Sequence, residues 1–145
     1  MVFGTDIADI QSHCVKNEYG VDIQESISFR YVDGKMAALQ ATVSCANNRQ
    51  GIISGDKGYI IVDNINNPHQ AAIYNADWQL VKIYDCPPQI SGYEYEVQAC
   101  IDDLRKGKLE PTAMPHAETL AIMRLLDQLR AEWGVVYPAD HSATI

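Results

Sequence analysis

The sequence predicts an α+β fold: a large, mostly antiparallel open sheet with two C-terminal helices packed on one of its faces. Three observations lead there. Alternating apolar and polar residues separated by glycine-containing turns fill the first 86 residues, and the pattern switches to helical spacing after Cys86-Pro87-Pro88. Both helical stretches also carry recognisable start and stop signals.

Ile7 to Val15 reads as a strand whose outer face, Asp9, Gln11 and His13, is polar. Ile27, Phe29 and Tyr31 alternate with Ser26, Ser28 and Arg30, as in a sheet with unlike faces. Asp33-Gly34 then marks a tight turn into the strand Met36 to Val43, because both residue types tolerate positive φ. Ile52-Ile53, the turn Gly55-Asp56-Lys57-Gly58 and Tyr59 to Val62 form a second hairpin signal. Asn64 to Pro68 reads as a loop, and Ala71 to Tyr74 and Gln79 to Tyr84 as two further short strands.

In the helical part, Ser91 and Glu94 have capping-box spacing, Tyr93, Val97, Cys100, Ile101 and Leu104 form an apolar stripe, and Gly107 suits a left-handed stop. The second helix starts at Pro115 or His116, carries Ile122, Leu126, Leu129 and Trp133 with Leu125 and Met123, and stops at Gly134. Packing both stripes on the sheet hides them and leaves the opposite sheet face open, which predicts a homodimer or higher homo-oligomer. The domain is expected to span 1–138, with a flexible tail over 139–145.

Composition narrows the function. A chain of 145 residues with 47% hydrophobic and 21% charged residues fits one globular domain. A net charge of −8 without a basic cluster argues against nucleic-acid and anionic-membrane partners. Arg105-Lys106-Gly107-Lys108 lies at a helix end, where cations complement the dipole. Cys14, Cys45, Cys86 and Cys100 are too widely spaced for a metal site. With no secretory h-region at Met1 to Asp6, and no apolar run approaching the roughly 20 residues that span a bilayer, reduced thiols and a cytoplasmic location are expected.

The order Gly92-Tyr93-Glu94-Tyr95-Glu96-Val97, Gly107-Lys108-Leu109-Glu110, Met114-Pro115-His116, Glu118-Thr119-Leu120, Met123, Leu126-Asp127, Arg130 and Trp133-Gly134 resembles the glucose–fructose oxidoreductase/inositol dehydrogenase (Gfo/Idh/MocA) family. Val21-Asp22 to Tyr31 and Gly51 to Val62 resemble its sheet strands, and the likeness runs from about Gly20 to Pro138. The resemblance implies a parent enzyme with an N-terminal Rossmann domain for NAD or NADP. The C-terminal domain of such an enzyme supplies part of the substrate pocket and most of the oligomer interface. This sequence departs from the whole-family pattern: it has no Gly-x-Gly-x-x-Gly, no Glu-Lys-Pro and no Asp-x-x-x-His in helical context. No catalytic, cofactor-binding or metal-binding residue is therefore assigned, and the Rossmann domain is expected as a missing partner.

Asp9 and His13 have the family's acid–base spacing, but the alternating context makes them a solvated strand face. His69 and His116 read as surface or capping residues, His141 as part of the tail, and Tyr93, Tyr95 and Trp133 as core at helical spacing. Asn47 and Arg49 are the candidate substrate-binding residues: they follow the Met36–Val43 strand, where the family often points side chains at substrate, and an amide and a guanidinium can bind a polyol or carboxylate. The expected function is thus the substrate-binding and dimerisation domain of an NAD(P)-dependent oxidoreductase acting on a sugar, polyol or related compound, inactive alone. The alternative is a free-standing dimeric ligand-binding module without redox chemistry.

Overall fold

The computed structural model describes residues 2–141; residues 142–145 of the expected tail, and the His141 side chain, lie outside the described residues. Strands β1 (Ile7–Lys16), β2 (Asp22–Tyr31), β3 (Met36–Thr42), β4 (Gly51–Gly55), β5 (Gly58–Val62), β6 (Gln70–Asn75) and β7 (Leu80–Asp85) precede helices α1 (Glu94–Arg105) and α2 (His116–Trp133). The class is α+β and every strand pair is antiparallel. The strands form two ladders rather than one, β1-β2-β3 and β4-β5-β6-β7, and residues 43–50 between β3 and β4 form no strand. The chain falls into two compact units, one joining the segment up to Ala46 to that from Lys106 onward, the other Asn47–Arg105.

In the first unit the register aligns Ile10 with Phe29, Ser12 with Ile27, and Ile27 with Leu39, so these side chains share one face. Phe29 and Tyr31 are buried on it. Helix α2 packs on the β1 side of this face, and Leu39 on β3 stays 45% exposed. The Trp133 indole N–H donates to Ser12 Oγ at 2.8 Å, and Leu129, 2% exposed, is the most deeply buried side chain. The opposite face is mostly polar, carrying Gln11, His13, Gln24, Ser26, Ser28, Arg30 and Gln40 with exposed Val15 and Met36 among them. Of the predicted α2 stripe, Ile122, Leu125, Leu129 and Trp133 are sheltered, whereas Leu126 and Met123 are 46% and 49% exposed.

Gly134 ends α2 in the left-handed region (φ 63, ψ 38), where its N–H donates to Ala131 O and the N–H of buried Val135 donates to Arg130 O. Lys16 Nζ adds hydrogen bonds to Trp133 O at 2.7 Å and Gly134 O at 3.2 Å, satisfying carbonyls at the negative end of the helix dipole. At the other end the Glu110 carboxylate accepts the His116 N–H at 2.8 Å, supplying the cap that Pro115 has no side-chain group to provide. Pro138–His141 form a 3-10 turn in which the Asp140 carboxylate accepts the Tyr137 N–H and pairs with Arg130.

The second unit is apolar on both sheet faces. Ile52, Ile61, Ala72 and Ile83 lie in register across all four strands, and Ile53, Ile60 and Ile73 line up with Lys82 on the other side. Two apolar faces are the pattern of a sheet covered on both sides. Yet α1 packs on none of the strands of its unit, and its predicted stripe is outward: Tyr93 is 68%, Val97 53% and Leu104 70% exposed. The sheltered positions of the helix are instead Glu94, Ala99 and Asp102, with Asp103 buried. Its spacing identified an amphipathic helix but not the surface that covers it.

Candidate functional site

The second unit contains a cleft of about 530 Å³ between the loop after β5 and the connector from β7 to α1. Asn66, Asn67 and Pro68 form one wall, and Cys86, Pro87, Gln89, Ser91, Gly92, Tyr93, Tyr95 and Glu96 line the rest. Both walls are locally determined. Asp63 Oδ1 accepts the N–H groups of Asn64, His69 and Gln70 at 2.9, 3.0 and 3.3 Å, which folds the β5–β6 loop back on itself. These backbone bonds, chiefly that from His69, hold the Asp63 carboxyl below its ordinary value. Asn64 Oδ1 accepts the Asn66 N–H at 3.1 Å, an Asx turn that extends the wall.

The connector has two successive prolines and few free donors, so its remaining amides are held from the side. Glu94 accepts the N–H groups of Ile90 at 2.8 Å, Ser91 at 2.9 Å and Gly92 at 2.8 Å, where a capping box supplies only one such bond. Hydrogen bonds from backbone amides, its own, then that of Ser91, lower its carboxyl from 4.5 to about 2. The Tyr95 hydroxyl lies 2.7 Å from Pro87 O and 2.8 Å from Pro88 O, tying the diproline to the first turn of α1. Gln89 Nε2 crosses to Pro68 O at 3.1 Å and the Cys86 N–H to His69 O at 2.8 Å, joining the two walls.

Because Glu94 has a folded-state value below its unfolded one, its contribution is present above about pH 4.5 and is lost as pH falls through about 2. The amides of Ile90, Ser91 and Gly92 are therefore expected to lose hydrogen-exchange protection across that interval. Glu94→Gln should expose the same three amides at neutral pH, read by two-dimensional NMR exchange rates.

Chemically, the lining offers carboxamides, hydroxyls, a thiol and one carboxylate, with no Lys or Arg. Among the described residues no group of three His, Cys, Asp or Glu side chains is arranged to hold a metal. Asn47 and Arg49 do not line the cleft. Asn47 Oδ1 accepts the Arg49 N–H at 2.9 Å, Arg49 has φ 53, and its carbonyl accepts the N–H of Ile65, next to Asn66, at 2.8 Å. Both side chains are exposed in this turn. Asp9 and His13 are exposed on the polar face of β1, about 13 Å apart at ordinary strand rise. His69 pairs with Asp63 at 3.4 Å and His116 with Glu110 at 3.7 Å, both on the surface. Trp133 is sheltered between α2 and β1, but Tyr93 and Tyr95, read from their spacing as core, stand at the cleft. The spacing signal cannot distinguish a core-facing from a cleft-facing tyrosine.

No protein-family profile matches the chain. Over 134 residues it is 25% identical to scyllo-inositol 2-dehydrogenase (NADP(+)) IolU of Bacillus subtilis (strain 168), covering 92% of this chain and 40% of that protein. It is 25% identical over 134 residues to trans-1,2-dihydrobenzene-1,2-diol dehydrogenase of Mus musculus, and 27% over 127 residues to that of Xenopus laevis. These alignments cover 86% and 84% of this chain and 38% of each relative. The chain is similar to these dehydrogenases of the Gfo/Idh/MocA oxidoreductase family over a C-terminal part of their length. It spans about two fifths of the length of these family relatives. The fold agrees: UDP-N-acetylglucosamine 3-dehydrogenase GnnA from Acidithiobacillus ferrooxidans superposes with TM-scores of 0.58 and 0.59 in two crystal forms, at 17% and 16% identity. Each superposition covers 71% of this chain and 33% of GnnA. Asn66, Asn67, Gln89 and Glu96 were not legible as site residues, since only the folded loops bring them together. The local signals available were the diproline and Gly92, which mark the connector without identifying its opposite wall.

Proposed function

We propose that this domain is the substrate-facing and self-associating part of an NAD(P)-dependent oxidoreductase acting on a sugar, polyol or related compound. The observation that carries the reading is the 134-residue alignment with an NADP(+)-named inositol dehydrogenase, in a sequence without a dinucleotide fingerprint. Hydride transfer needs a nicotinamide, and these residues offer no glycine-rich turn for its pyrophosphate. The Rossmann domain that would complete the enzyme is a partner of this one, and the domain alone is inactive.

Self-association is assigned to the second unit, where Ile52, Ile61, Ala72 and Ile83 make a continuous apolar row across four strands. Ile52 and Ile83 on this row are 62% and 43% exposed, and pairing two such faces removes both from water. Light scattering should give twice the 16.1 kDa chain mass. Ile83→Glu should return the monomer, because a carboxylate there would be desolvated in the dimer only. A monomer at high concentration would remove the dimer from the proposal.

The oxidoreductase reading is tested by absorbance at 340 nm with NAD or NADP and scyllo-inositol. The chain alone should give no turnover and no nucleotide binding; adding a Rossmann domain from a family relative should bring turnover. Nucleotide-dependent turnover by the chain alone would overturn the reading. No turnover with any added Rossmann domain, together with ligand binding, would favour the free-standing binding module.

A further inference from the structure

We infer that Trp78, at the tip of the hairpin joining β6 to β7, is the anchor of the self-association face and packs against the same face of a second copy of this chain. The inference rests on the self-association proposed above and names the side chain on which it turns.

The backbone holds Trp78 in an unusual conformation. Its φ of 58 lies in the left-handed region, where Cβ crowds the following carbonyl and a bulky residue is rare. The turn around it imposes that geometry. Asn75 Oδ1 accepts the N–H groups of Asp77 at 3.0 Å and Gln79 at 2.9 Å, and Asn75 Nδ2 donates to Gln79 Oε1 at 3.2 Å. The Asn75 N–H donates to Gln79 O at 3.0 Å, and the Trp78 N–H to Asn75 O at 3.1 Å. Gly or Asn would fill position 78 with less strain. Nor does the indole serve its own unit. Trp78 is 79% exposed, and among the described residues its side chain has no hydrogen-bonding, aromatic or cationic partner. Trp133, in contrast, is sheltered and donates to Ser12 Oγ. A strained residue that presents a large apolar ring to water is accounted for by a contact outside the chain.

The hairpin tip continues the face assigned to self-association. Gly58 pairs with Asn75, so the tip stands at the end of β5 and β6. Next to it Ser54, Tyr59, Tyr74 and Leu80 lie in register across the four strands. The register slip after Ile73 brings Leu80 opposite Tyr74, on the same side as Ile83 opposite Ala72. This row therefore adjoins the Ile52–Ile83 row on one face. Leu80 is 52% exposed, and the Tyr59 and Tyr74 rings, within 6° of parallel, give a flat aromatic surface suited to an indole. Neither row contains a charged side chain, so pairing two copies buries no ion and opposes no like charges; the other face of the sheet carries Lys82. In a two-fold dimer the patch meets itself, and each copy contributes one Trp78 and one tyrosine pair. Tryptophan is among the residues that most often dominate such interfaces.

The test is sedimentation equilibrium of the 145-residue chain and its Trp78→Asn, Trp78→Gly and Ile83→Glu variants. Trp78→Asn and Trp78→Gly should each raise the dimer dissociation constant at least about tenfold. In the monomeric Ile83→Glu background, Trp78→Asn should leave the urea midpoint unchanged or higher, since asparagine accepts positive φ and no contact inside the unit is lost. In a Trp133→Phe chain, acrylamide quenching of Trp78 should fall as concentration drives dimerisation. A dimer as tight in both Trp78 variants as in wild type, a lowered monomer midpoint, or quenching independent of concentration would overturn the inference. Trp78→Asn that leaves the dimer intact but lowers turnover with an added Rossmann domain would overturn it too, by giving the residue a different partner. Dissociation by Ile83→Glu with both Trp78 variants still dimeric discards only the anchor; a wild-type chain that stays monomeric discards the self-association reading and the anchor together.

Discussion

Leu129→Ala is expected to lower the stability of the first unit by about 2–5 kcal/mol, the usual cost of emptying a filled leucine site. Leu129 is 2% exposed and lies one turn before Trp133, whose indole N–H reaches Ser12 Oγ at 2.8 Å. The site is poorly able to collapse around the missing atoms. On one side Gly134, Val135 and the Lys16 ammonium fix the helix end; on the other the β1–β2 ladder fixes Ser12 opposite Ile27. Against a typical domain stability of about 5–15 kcal/mol, such a loss is a large fraction. Urea unfolding followed by Trp133 fluorescence in a Trp78→Phe background should show the midpoint fall with little change in slope. Trp133→Phe should cost less, because it keeps much of the buried area and removes the hydrogen bond to Ser12. Equal midpoints for wild type and Leu129→Ala would mean that α2 does not anchor this sheet.

Gly58→Ala should be the most damaging change in the second unit. A methyl group at Gly58 would stand 2.0 Å from Tyr74 O and 2.9 Å from Asn75 Cα, both backbone atoms that no side-chain rotation can move aside. Gly58 also has φ +147, a conformation that alanine rarely adopts and that costs roughly 1–3 kcal/mol before any clash is counted. Relief requires β5 to part from β6 at the Gly58–Asn75 pair, next to the stacked rings of Tyr59 and Tyr74, whose centroids are 4.9 Å apart. Hydrogen exchange should show the β5 and β6 amides losing protection first. Gly55→Ala is the control: its added methyl would meet only Gly58 O at 3.7 Å, ordinary contact. If both variants exchange like wild type, the close approach of β5 to β6 is not as described.

The strands were legible because their signals are local. Ile27, Phe29 and Tyr31 alternate within a single strand, and Gly55-Asp56-Lys57-Gly58 turns on its own backbone requirements. Asp33-Gly34 marked its turn correctly, although the loop is wider than a two-residue hairpin: the Tyr31 N–H donates to Lys35 O, and Asp33 pairs with Lys35. Helix ends were equally local, with Gly134 at the end of α2 and Gly107 just beyond α1. Leu125 and Leu126 show the limit. Both suit an apolar stripe, but only the docking of α2 on β1 decides that Leu125 is sheltered and Leu126 exposed. Likewise Glu94 was recognisable as a capping residue, whereas its grip on three connector amides depends on the path of the chain after the diproline.

By itself the sequence determined the α+β class, the strand and helix positions and the family likeness, since each is written in spacing and turn chemistry over a few residues. Tertiary structure decided the division into two ladders, which apolar faces are covered, and the meeting of Asn66, Asn67, Gln89, Tyr93 and Glu96 around one cleft. Those outcomes depend on hydrogen bonds and burial between segments distant along the chain, such as Gln89 with Pro68 and Trp133 with Ser12. Periodicity records how a residue faces within its own element; it carries no record of what lies opposite.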